Sequence, residues 1–363
     1  MERIKLGIIG LGLAWERLHA PALERLKEKF EIVAVCDSNA EKAASTSRYL
    51  DLPAAYDDYK EMLGRPDIEA VLSLVPIAGN FETAAAVMRS GKHLVAEKPF
   101  ASSPDAAREL IALQKKTGVK VMVAENVRYE DETVLIKNLL TAGQIGTPVY
   151  FTDNHVVDYL EDSAQGGFGQ TDWRQHPEYA GGVIMDSGVH HMARMRYLFG
   201  DVRSVFAHGY PSSEDFSPYS AINAMMGFGE NITGHYSFFL SGKESQAPLS
   251  GLRIFGTQGE IYLEESACGF VNISYKDDRP PVAISYTPGQ GYCRELDNFH
   301  AALRLGAEIE STPQKAVGDI ETVFALMESA RTGEVVRPTQ TETISTAYVM
   351  PKTTRTRRPR VTV

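Results

Sequence analysis

The sequence of 363 residues is poor in cysteine and has no long apolar run. Its three cysteines, Cys36, Cys268 and Cys293, are too few and too scattered for a disulfide framework, and they suit a reducing cytoplasm. No run approaches the roughly 18 apolar residues of a membrane span. The first residues enter a strand pattern directly, without the apolar region of a signal peptide. We therefore expect a cytoplasmic protein with no membrane partner.

Positive charge is also scarce. Lysine and arginine number 37 against 47 aspartates and glutamates, which gives a net charge of −10. A general nucleic-acid-binding protein needs a basic surface, so we expect no nucleic-acid partner. Hydrophobic residues make up 43% of the chain and charged residues 23%, which is typical of a globular protein, and the length predicts about two domains.

Short β-rich runs alternate with helical stretches in the first third of the chain. Strands are predicted at 4–10, 31–36, 70–75, 93–97 and 119–124, and helices at 13–27, 80–90 and 104–117. Pro21 should kink or break the first helix, and Asn39 is a plausible N-cap for another. Strand and helix in alternation predict an α/β fold with a parallel sheet and right-handed crossovers.

The pattern changes after about residue 129. One helical stretch remains near 131–142, and short runs of alternating apolar and polar residues follow, separated by Gly, Pro, Asn or Asp. They predict a mostly antiparallel sheet with one buried face, closed by helices at 294–305 and 313–331. The segment from about Arg337 is rich in threonine and basic residues, and it is either a solvated tail or an arm that reaches a neighbouring subunit.

A dinucleotide site is predicted at the end of the first strand. Gly10-Leu11-Gly12 stands between a strand and a helix, where a turn without Cβ atoms brings a pyrophosphate close to the backbone. Asp37 ends the second strand, where its carboxylate can accept from the ribose hydroxyls and repel the 2′-phosphate of NADP. NAD is therefore the preferred cofactor. The alternative is that Asp37 only caps the next helix.

Two further segments carry chemically useful side chains. Lys98 follows the strand HLVAE, and Pro99 favours an extended backbone for it, so it can project over the ligand crevice; the alternative is a surface lysine. Asp186 and His190 are four residues apart and would share a helix face, which suits a proton carrier and its carboxylate partner. The alternatives are an N-cap for Asp186 and a core histidine for His190 or His191. The spacing fits no standard zinc pattern, so no metal is expected.

These pieces together resemble the Gfo/Idh/MocA oxidoreductase family, named for glucose–fructose oxidoreductase, inositol dehydrogenase and MocA. The matching segments run in family order over about residues 4 to 336. They are GIIGLGLAWERLHAPAL (7–23), VAVCDSNAEKA (33–43), GKHLVAEKPFA (91–101), AENVRY (124–129), WRQHPEYAGGVIMDSGVHH (173–191) and ELDNFHAALRLG (295–306).

The resemblance implies a Rossmann dinucleotide-binding domain over residues 1–128, with a doubly wound parallel sheet. It implies an α+β domain over 129–336 with a large, open, mostly antiparallel sheet, which commonly joins subunits in a homodimer or homotetramer. Residues 337–363 match nothing in the family pattern. The implied activity is NAD(P)-dependent hydride transfer between the cofactor and a secondary alcohol of a sugar, polyol or derivative.

The resemblance also implies roles for residues. Lys98, Asp186 and His190 match the catalytic group, with His190 as general base, Asp186 as its orienter and Lys98 positioning the substrate hydroxyl; the Lys98–Pro99 bond is expected to be cis. The residues assigned to the cofactor are Gly10, Leu11, Gly12, Leu13, Asp37, Ser38, Pro76, Asn80, Glu97, Lys98, Asn126, Trp173 and Arg174. Those assigned to the substrate are Lys98, Arg128, Tyr129, Trp173, Arg174, His176, Asp186 and His190.

The chain departs from the family pattern at a few positions. Trp15 takes the third glycine position of the dinucleotide motif, and Asn80 stands where a histidine is usual. Arg174 could read a substrate carboxylate or phosphate, or form a structural ion pair. Two rival functions are NAD-assisted glycoside cleavage by transient oxidation and a non-catalytic dinucleotide-binding regulator. Intact Lys98, Asp186 and His190 speak against the regulator.

Overall fold

A computed structural model of the chain describes residues 2–159, 166–229, 231–240, 250–264 and 267–339. The basic segment after residue 339, and with it most of the predicted tail, lies outside the described residues. The described residues contain a six-stranded sheet and an eight-stranded sheet. This is the expected pair of folds: a Rossmann-type parallel sheet followed by a mostly antiparallel one.

All neighbouring strands of the first sheet are parallel. Its strands are β1 (Ile4–Ile9), β2 (Phe30–Cys36), β3 (Ala55–Tyr56), β4 (Ala70–Ser73), β5 (His93–Glu97) and β6 (Val121–Ala124), in the order β3-β2-β1-β4-β5-β6. β1 and β4 are buried almost throughout, because helices cover both faces of the sheet. The strand order reverses beside β1, and ligands of such sheets bind at that point, outside the carboxyl ends of the strands.

The helices of this half are α1 (Ala20–Arg25), α2 (Ala40–Tyr49), α3 (Tyr59–Leu63), α4 (Asn80–Arg89) and α5 (Pro104–Thr117). Asn39 caps α2 as expected, because its side chain accepts from the amide of Lys42. The predicted helix 13–27 differs: it begins as a π-helical turn, Trp15–His19, and continues as α1. Pro21 falls in the first turn of α1, where its missing N–H is tolerated. Trp15 is buried in an apolar cluster with Leu11 and Leu23.

The second sheet is built from strands of the second half of the chain. Its strands are β7 (Pro148–Val156), β8 (Val202–Pro211), β9 (Tyr219–Phe228), β10 (Ile232–Phe239), β11 (Gly251–Gly256), β12 (Gly259–Leu263), β13 (Phe270–Tyr275) and β14 (Val282–Ser285). They follow the order β14-β13-β12-β11-β7-β10-β9-β8, and every neighbouring pair is antiparallel except β7 with β10. The mostly antiparallel sheet is therefore confirmed.

The described residues of this half contain six further α-helices. They are α6 (Asp131–Thr141), α7 (Asp172–Gln175), α8 (Gly182–Asp186), α9 (Gly188–Phe199), α10 (Gly291–Arg304) and α11 (Pro313–Thr332). α11 packs on β8 and also on α5 and β6, so it bridges both sheets. Among the described residues, no helix is both long and apolar enough to cross a membrane.

Candidate active site

A cleft of about 800 Å³ opens at the carboxyl ends of the parallel strands, and both halves of the chain line it. Twelve of the residues predicted for the site line this cleft: Gly10, Gly12, Leu13, Asp37, Ser38, Pro76, Glu97, Lys98, Trp173, Arg174, Asp186 and His190. The fold thus brings together the end of the first strand, the turn Glu97-Lys98-Pro99 (the EKP turn) and the helix that begins at Gly182.

The glycine turn after β1 has the shape that a dinucleotide needs. Gly10 adopts φ +89°, and a Cβ there would stand 2.6 Å from the carbonyl oxygen of Leu74, so only glycine fits. A Cβ on Gly12 would meet nothing within 4 Å, which leaves open space on the cleft side of the backbone. The turn therefore leaves room for a pyrophosphate beside the backbone, and these residues fit an NAD(P) molecule.

Asp37 lines the same end of the cleft and also holds the local backbone. Its Oδ2 accepts from the amide of Leu11 at 2.8 Å, and its Oδ1 accepts from the amide of Asn39 at 2.9 Å. A carboxylate offers about four acceptor positions, so two remain for ribose hydroxyls. Asp57 and Asp58 line the cleft nearby. Burial, together with the charges of these three aspartates, raises the pKa of the Cys36 thiol to about 12.

Lys98, Asp186 and Arg174 form one ion-paired group. The Nζ of Lys98 donates to Oδ1 and to the main-chain oxygen of Asp186, both at 2.8 Å, and Nε of Arg174 donates to Oδ2 at 2.6 Å. Burial alone would raise the pKa of Asp186, but the adjacent charges of Lys98 and Arg174 outweigh it and hold the pKa below its ordinary value. The Lys98–Pro99 bond is cis, as expected. Arg174 also lies over the ring of Trp173, 3.9 Å from its centroid.

Two glycines place Asp186 at the end of α8. Gly181 and Gly182 have φ values of +93° and +48°, and a Cβ on Gly182 would stand 2.0 Å from the carbonyl oxygen of Phe216. The chain can therefore turn sharply into α8 only with glycine at this position. α8 ends at Asp186, and α9 begins two residues later and carries His190.

His190 is held by a carboxylate that sequence reasoning did not select. Its Nδ1 lies 2.5 Å from Oε1 of Glu125, which directly follows β6 and whose side chain is 2% exposed. Asp186 was expected to orient His190, but both of its oxygens bond to Lys98 and Arg174. The structure corrects the expected pairing. The position of Glu125 in the sequence could have identified it as a site residue, because it directly follows β6 at the carboxyl end of the parallel sheet.

The side chains of Asn80 and Glu97 hydrogen-bond to the backbone of the EKP turn. Asn80 is buried and does not line the cleft; its Nδ2 donates to the carbonyl oxygen of Pro99 at 2.8 Å and to that of Glu97 at 3.3 Å. Oε2 of Glu97 accepts from the amide of Lys98, and its Oε1 contacts Nε2 of His19 at 2.9 Å. Burial would raise the pKa of Glu97, but the hydrogen bond from His19 and the charge of Lys98 lower it overall.

The structure does not bring every predicted residue to the cleft. Arg128 is buried, and its Nη2 donates to both oxygens of Asp319, so its guanidinium lies inside the protein. The buried hydroxyl of Tyr129 donates to Asn298, and Asn126 donates to Glu130. Leu11, Asn126, Arg128, Tyr129 and His176 are not among the residues that line the cleft.

His191 and His176 have different surroundings from His190. His191 is partly buried; its Nδ1 lies 2.9 Å from the hydroxyl of Tyr236 on β10 and its ring stacks on that of His155, which fits a structural histidine. The His176 side chain is 67% exposed and lies 3.6 Å from Asp215. Aromatic side chains missed by the sequence reasoning line the cleft as well, among them Tyr159, Phe168 and Tyr292.

Comparison with known families agrees with both halves of the chain. The family model for the Gfo/Idh/MocA oxidoreductase family, NAD-binding Rossmann fold, matches residues 4–125, and the model for its C-terminal alpha/beta domain matches residues 137–337. The chain therefore belongs to the Gfo/Idh/MocA oxidoreductase family. It is an NAD(P)-dependent oxidoreductase, which confirms the resemblance that the motifs indicated.

Individual relatives are similar over most of the chain. An uncharacterised protein of Saccharomyces cerevisiae is 31% identical over 93% of this chain and 99% of its own length. A D-xylose 1-dehydrogenase (NADP(+)) of Haloferax volcanii is 24% identical over 91% of this chain and 98% of its own length. A crystal structure of an oxidoreductase from Thermotoga maritima, 27% identical, superposes with a TM-score of 0.83 over 93% of this chain and 98% of that one.

Proposed function

We propose that the protein oxidises a secondary alcohol of a sugar, a polyol or a sugar derivative, or reduces the corresponding ketone, and that NAD is its preferred cofactor. The observation that carries this proposal is that Lys98, Asp186 and His190 line the same cleft as the glycine turn and Asp37. A cation, a histidine and a dinucleotide cradle in one cleft are the groups that alcohol oxidation requires.

In the oxidation direction, Lys98 and His190 divide the work on the substrate hydroxyl. The ammonium of Lys98 stabilises negative charge on the oxygen, and Asp186 holds that ammonium at the carboxyl end of β5. Nε2 of His190 takes the hydroxyl proton as the C–H bond breaks and the carbonyl forms. Bound NAD supplies the hydride acceptor. The reduction reverses each transfer, and His190 then returns the proton.

The polar groups of the cleft favour a hydroxylated substrate. Arg174 shares the carboxylate of Asp186 with Lys98, and it presents a planar donor against Trp173. Side chains of this kind hydrogen-bond and stack on a sugar ring without requiring a formal negative charge on it. The relative from Haloferax volcanii is named as an enzyme of a sugar, D-xylose, which supports the same substrate class.

The preference for NAD rests on the acidic end of the cleft. Asp37, Asp57 and Asp58 line it, and a 2′-phosphate would meet three carboxylates there. The D-xylose dehydrogenase named above uses NADP(+), so the preference belongs to this chain's own residues rather than to the family as a whole.

We also propose that subunits associate through the outward face of the eight-stranded sheet. The paired positions Phe206, Met225, His235 and Thr152 cross neighbouring strands in one row, and Met225 is 65% exposed. An open sheet face with exposed apolar side chains is a common site of association.

The chain's three cysteines form no disulfide within the described residues, which contain all of them, and this supports a cytoplasmic enzyme.

A substrate screen tests the function directly. Purified protein is mixed with NAD or NADP and with a panel of sugars, inositols and uronic acids, and reduced nicotinamide is followed by its absorbance. Turnover of at least one panel member, lost in His190→Ala, is expected. Absence of turnover with either cofactor across the panel, in both directions, would overturn the proposal. Product analysis separates simple oxidation from glycoside cleavage, since cleavage releases an aglycone without net reduction of the cofactor.

A further inference from the structure

Glu125 is the hydrogen-bond partner of the His190 imidazole. Nδ1 of His190 lies 2.5 Å from Oε1 of Glu125, so the imidazole and the carboxylate are within hydrogen-bond distance. An ionised carboxylate only accepts hydrogen bonds, so Nδ1 must carry the proton. In neutral His190 this leaves Nε2 without a proton. An imidazole with its lone pair on Nε2 can accept a proton from a substrate in the cleft.

Asp186 cannot hold the proton on Nδ1 of His190 in the same arrangement. Its Oδ1 accepts from Lys98 and its Oδ2 from Arg174, and the pair of cations holds it ionised and in place. The cleft therefore contains two separate units: Lys98 with Asp186 and Arg174, and His190 with Glu125. The first holds a cation for the substrate oxygen, and the second holds a base.

A second buried glutamate, Glu295, lies in the neighbourhood of Glu125. Glu295 is fully buried, and neither of its side-chain oxygens has a hydrogen-bond partner among the described residues. Burial, reinforced by the charges of Glu97, Glu125 and Glu130, raises the pKa of Glu295 well above its ordinary value, which favours its neutral form. Glu97 and Glu125 each have a histidine partner.

We propose that Glu125 is a positioning residue that fixes the Nδ1–H tautomer of His190 and stabilises its imidazolium, a role that the sequence pattern had given to Asp186. The inference rests on the proposed function for its kinetic consequences, but the tautomer itself does not depend on any substrate. When His190 takes the substrate proton on Nε2, the charge of Glu125 offsets the positive charge that forms on the ring. No proton passes to Glu125 in this step.

Other titratable groups also surround His190, and each stays constant in the comparison below. They are Glu97 at the end of β5, Lys98 directly after it, Asp186 at the end of α8, His191 on α9 and Tyr292 on α10. Only Glu125 is bonded to the imidazole among the described residues.

Two variants separate orientation from charge. Glu125→Gln keeps an oxygen that accepts from Nδ1–H but removes the charge, whereas Glu125→Leu removes both. Glu295→Gln is the matched control, since it changes a buried glutamate of the same neighbourhood that does not touch His190. The tautomer is read from long-range ¹H–¹⁵N spectra of histidine-labelled protein without substrate, and His190→Gln identifies the signal.

We expect the wild type, Glu125→Gln and Glu295→Gln to show the Nδ1–H tautomer, and Glu125→Leu to populate the Nε2–H form. In Glu125→Gln the acidic limb of the kcat/KM profile for oxidation should move to lower pH by about one unit, because the imidazolium loses its counter-charge. In Glu125→Leu, kcat should fall roughly 10²-fold with little change in NADH affinity.

The outcomes remain separable from those of the function test. An unchanged His190 tautomer in Glu125→Leu, or an unmoved acidic limb in Glu125→Gln, would overturn the positioning role even if the enzyme oxidises sugars. If Glu125→Leu does not fold, the pH profile of Glu125→Gln decides alone. If no sugar is turned over, the function proposal fails while the wild-type tautomer is still measured, and an Nε2–H form in the wild type would refute the inference.

Discussion

The ammonium of Lys98 lies 2.8 Å from Oδ1 of Asp186, although the two residues are 88 positions apart in the sequence. The contact joins the end of β5 to the end of α8, and so it joins the Rossmann domain to the segment that carries His190. Both side chains are largely buried, with 13% and 9% of their surface exposed. The pair therefore fixes where a cation stands relative to the dinucleotide cradle.

Replacing Lys98 should remove the chemistry while sparing the fold. In Lys98→Met the substrate oxygen loses its cation, and we expect kcat to fall by about 10²-fold or more. Asp186 keeps Arg174 as a partner, so the carboxylate is not left without a countercharge, and the loss in free energy of unfolding should stay below about 2 kcal/mol. Steady-state kinetics, NAD binding and urea unfolding measure the three effects.

Lys116→Met provides the control. Lys116 is exposed and does not line the cleft, so this variant removes one positive charge outside the site. It should leave all three measurements unchanged. Wild-type turnover in Lys98→Met would remove this lysine from the mechanism.

Cofactor preference should depend on more than one carboxylate. Titration should show tighter binding of NAD than of NADP. Asp37→Ser with Ser38→Arg removes one negative charge and adds a cation, which should shift the preference toward NADP. Adding Asp57→Asn should shift it further, because Asp57 lines the same end of the cleft. Dissociation constants of NADH and NADPH, measured by the fluorescence of the reduced nicotinamide, give the ratio at each step, at constant ionic strength since the effect is screened by salt.

Asp37→Ser alone should also weaken the binding of NAD, because the backbone amides of Leu11 and Asn39 lose the carboxylate that accepts their hydrogen bonds. Tighter binding of NADP than of NAD by the wild type would contradict the role given to Asp37.

The order of elements and most of the cleft were predictable from local sequence. β1 is a buried β-rich run, and the glycine turn after it needs a residue with φ +89° at Gly10, which the sequence supplies. Likewise, Asn39 caps α2 through its own side chain, and no distant residue takes part. Features of this kind depend on a few neighbouring residues, so a single sequence displays them.

The partners of individual side chains were less predictable. Spacing placed Asp186 and His190 on one helix face, but α8 ends at Asp186, and His190 bonds to Glu125, 65 positions away. Arg128 and Tyr129 come shortly after β6 in the sequence, and that position predicted side chains in the cleft. In the structure they instead point into the core, toward Asp319 and Asn298. Which of several nearby charges a side chain meets depends on how distant helices pack, and periodicity carries no information about that.

Association through the sheet should be sensitive to one exposed side chain. Met225 lies on the outward face between Phe206 and His235 on the neighbouring strands. Met225→Glu places a charge in the middle of this face, and its burial in an interface without a partner would be unfavourable. We expect the oligomer to dissociate, as measured by light scattering after size-exclusion chromatography. Met225→Leu should keep the wild-type mass. A wild type that is already monomeric, or an unaffected Met225→Glu, would refute the interface.

Glu295 should make stability depend on pH in a direction opposite to that of an ordinary surface glutamate. Burial raises the pKa of Glu295 in the folded protein well above its unfolded value, so its contribution to stability is complete below about pH 4.3 and is lost as the pH rises toward the folded pKa. Glutamine cannot ionise, so Glu295→Gln lacks this loss.

The free energy of unfolding of Glu295→Gln minus that of the wild type should therefore increase with pH above about pH 4.3, by at most about 1.4 kcal/mol per unit. Urea unfolding of both proteins at several pH values between about 5 and 8 measures the difference, and titrations shared by the two proteins cancel. A difference that stays constant over this range would mean that Glu295 is already ionised in the folded protein.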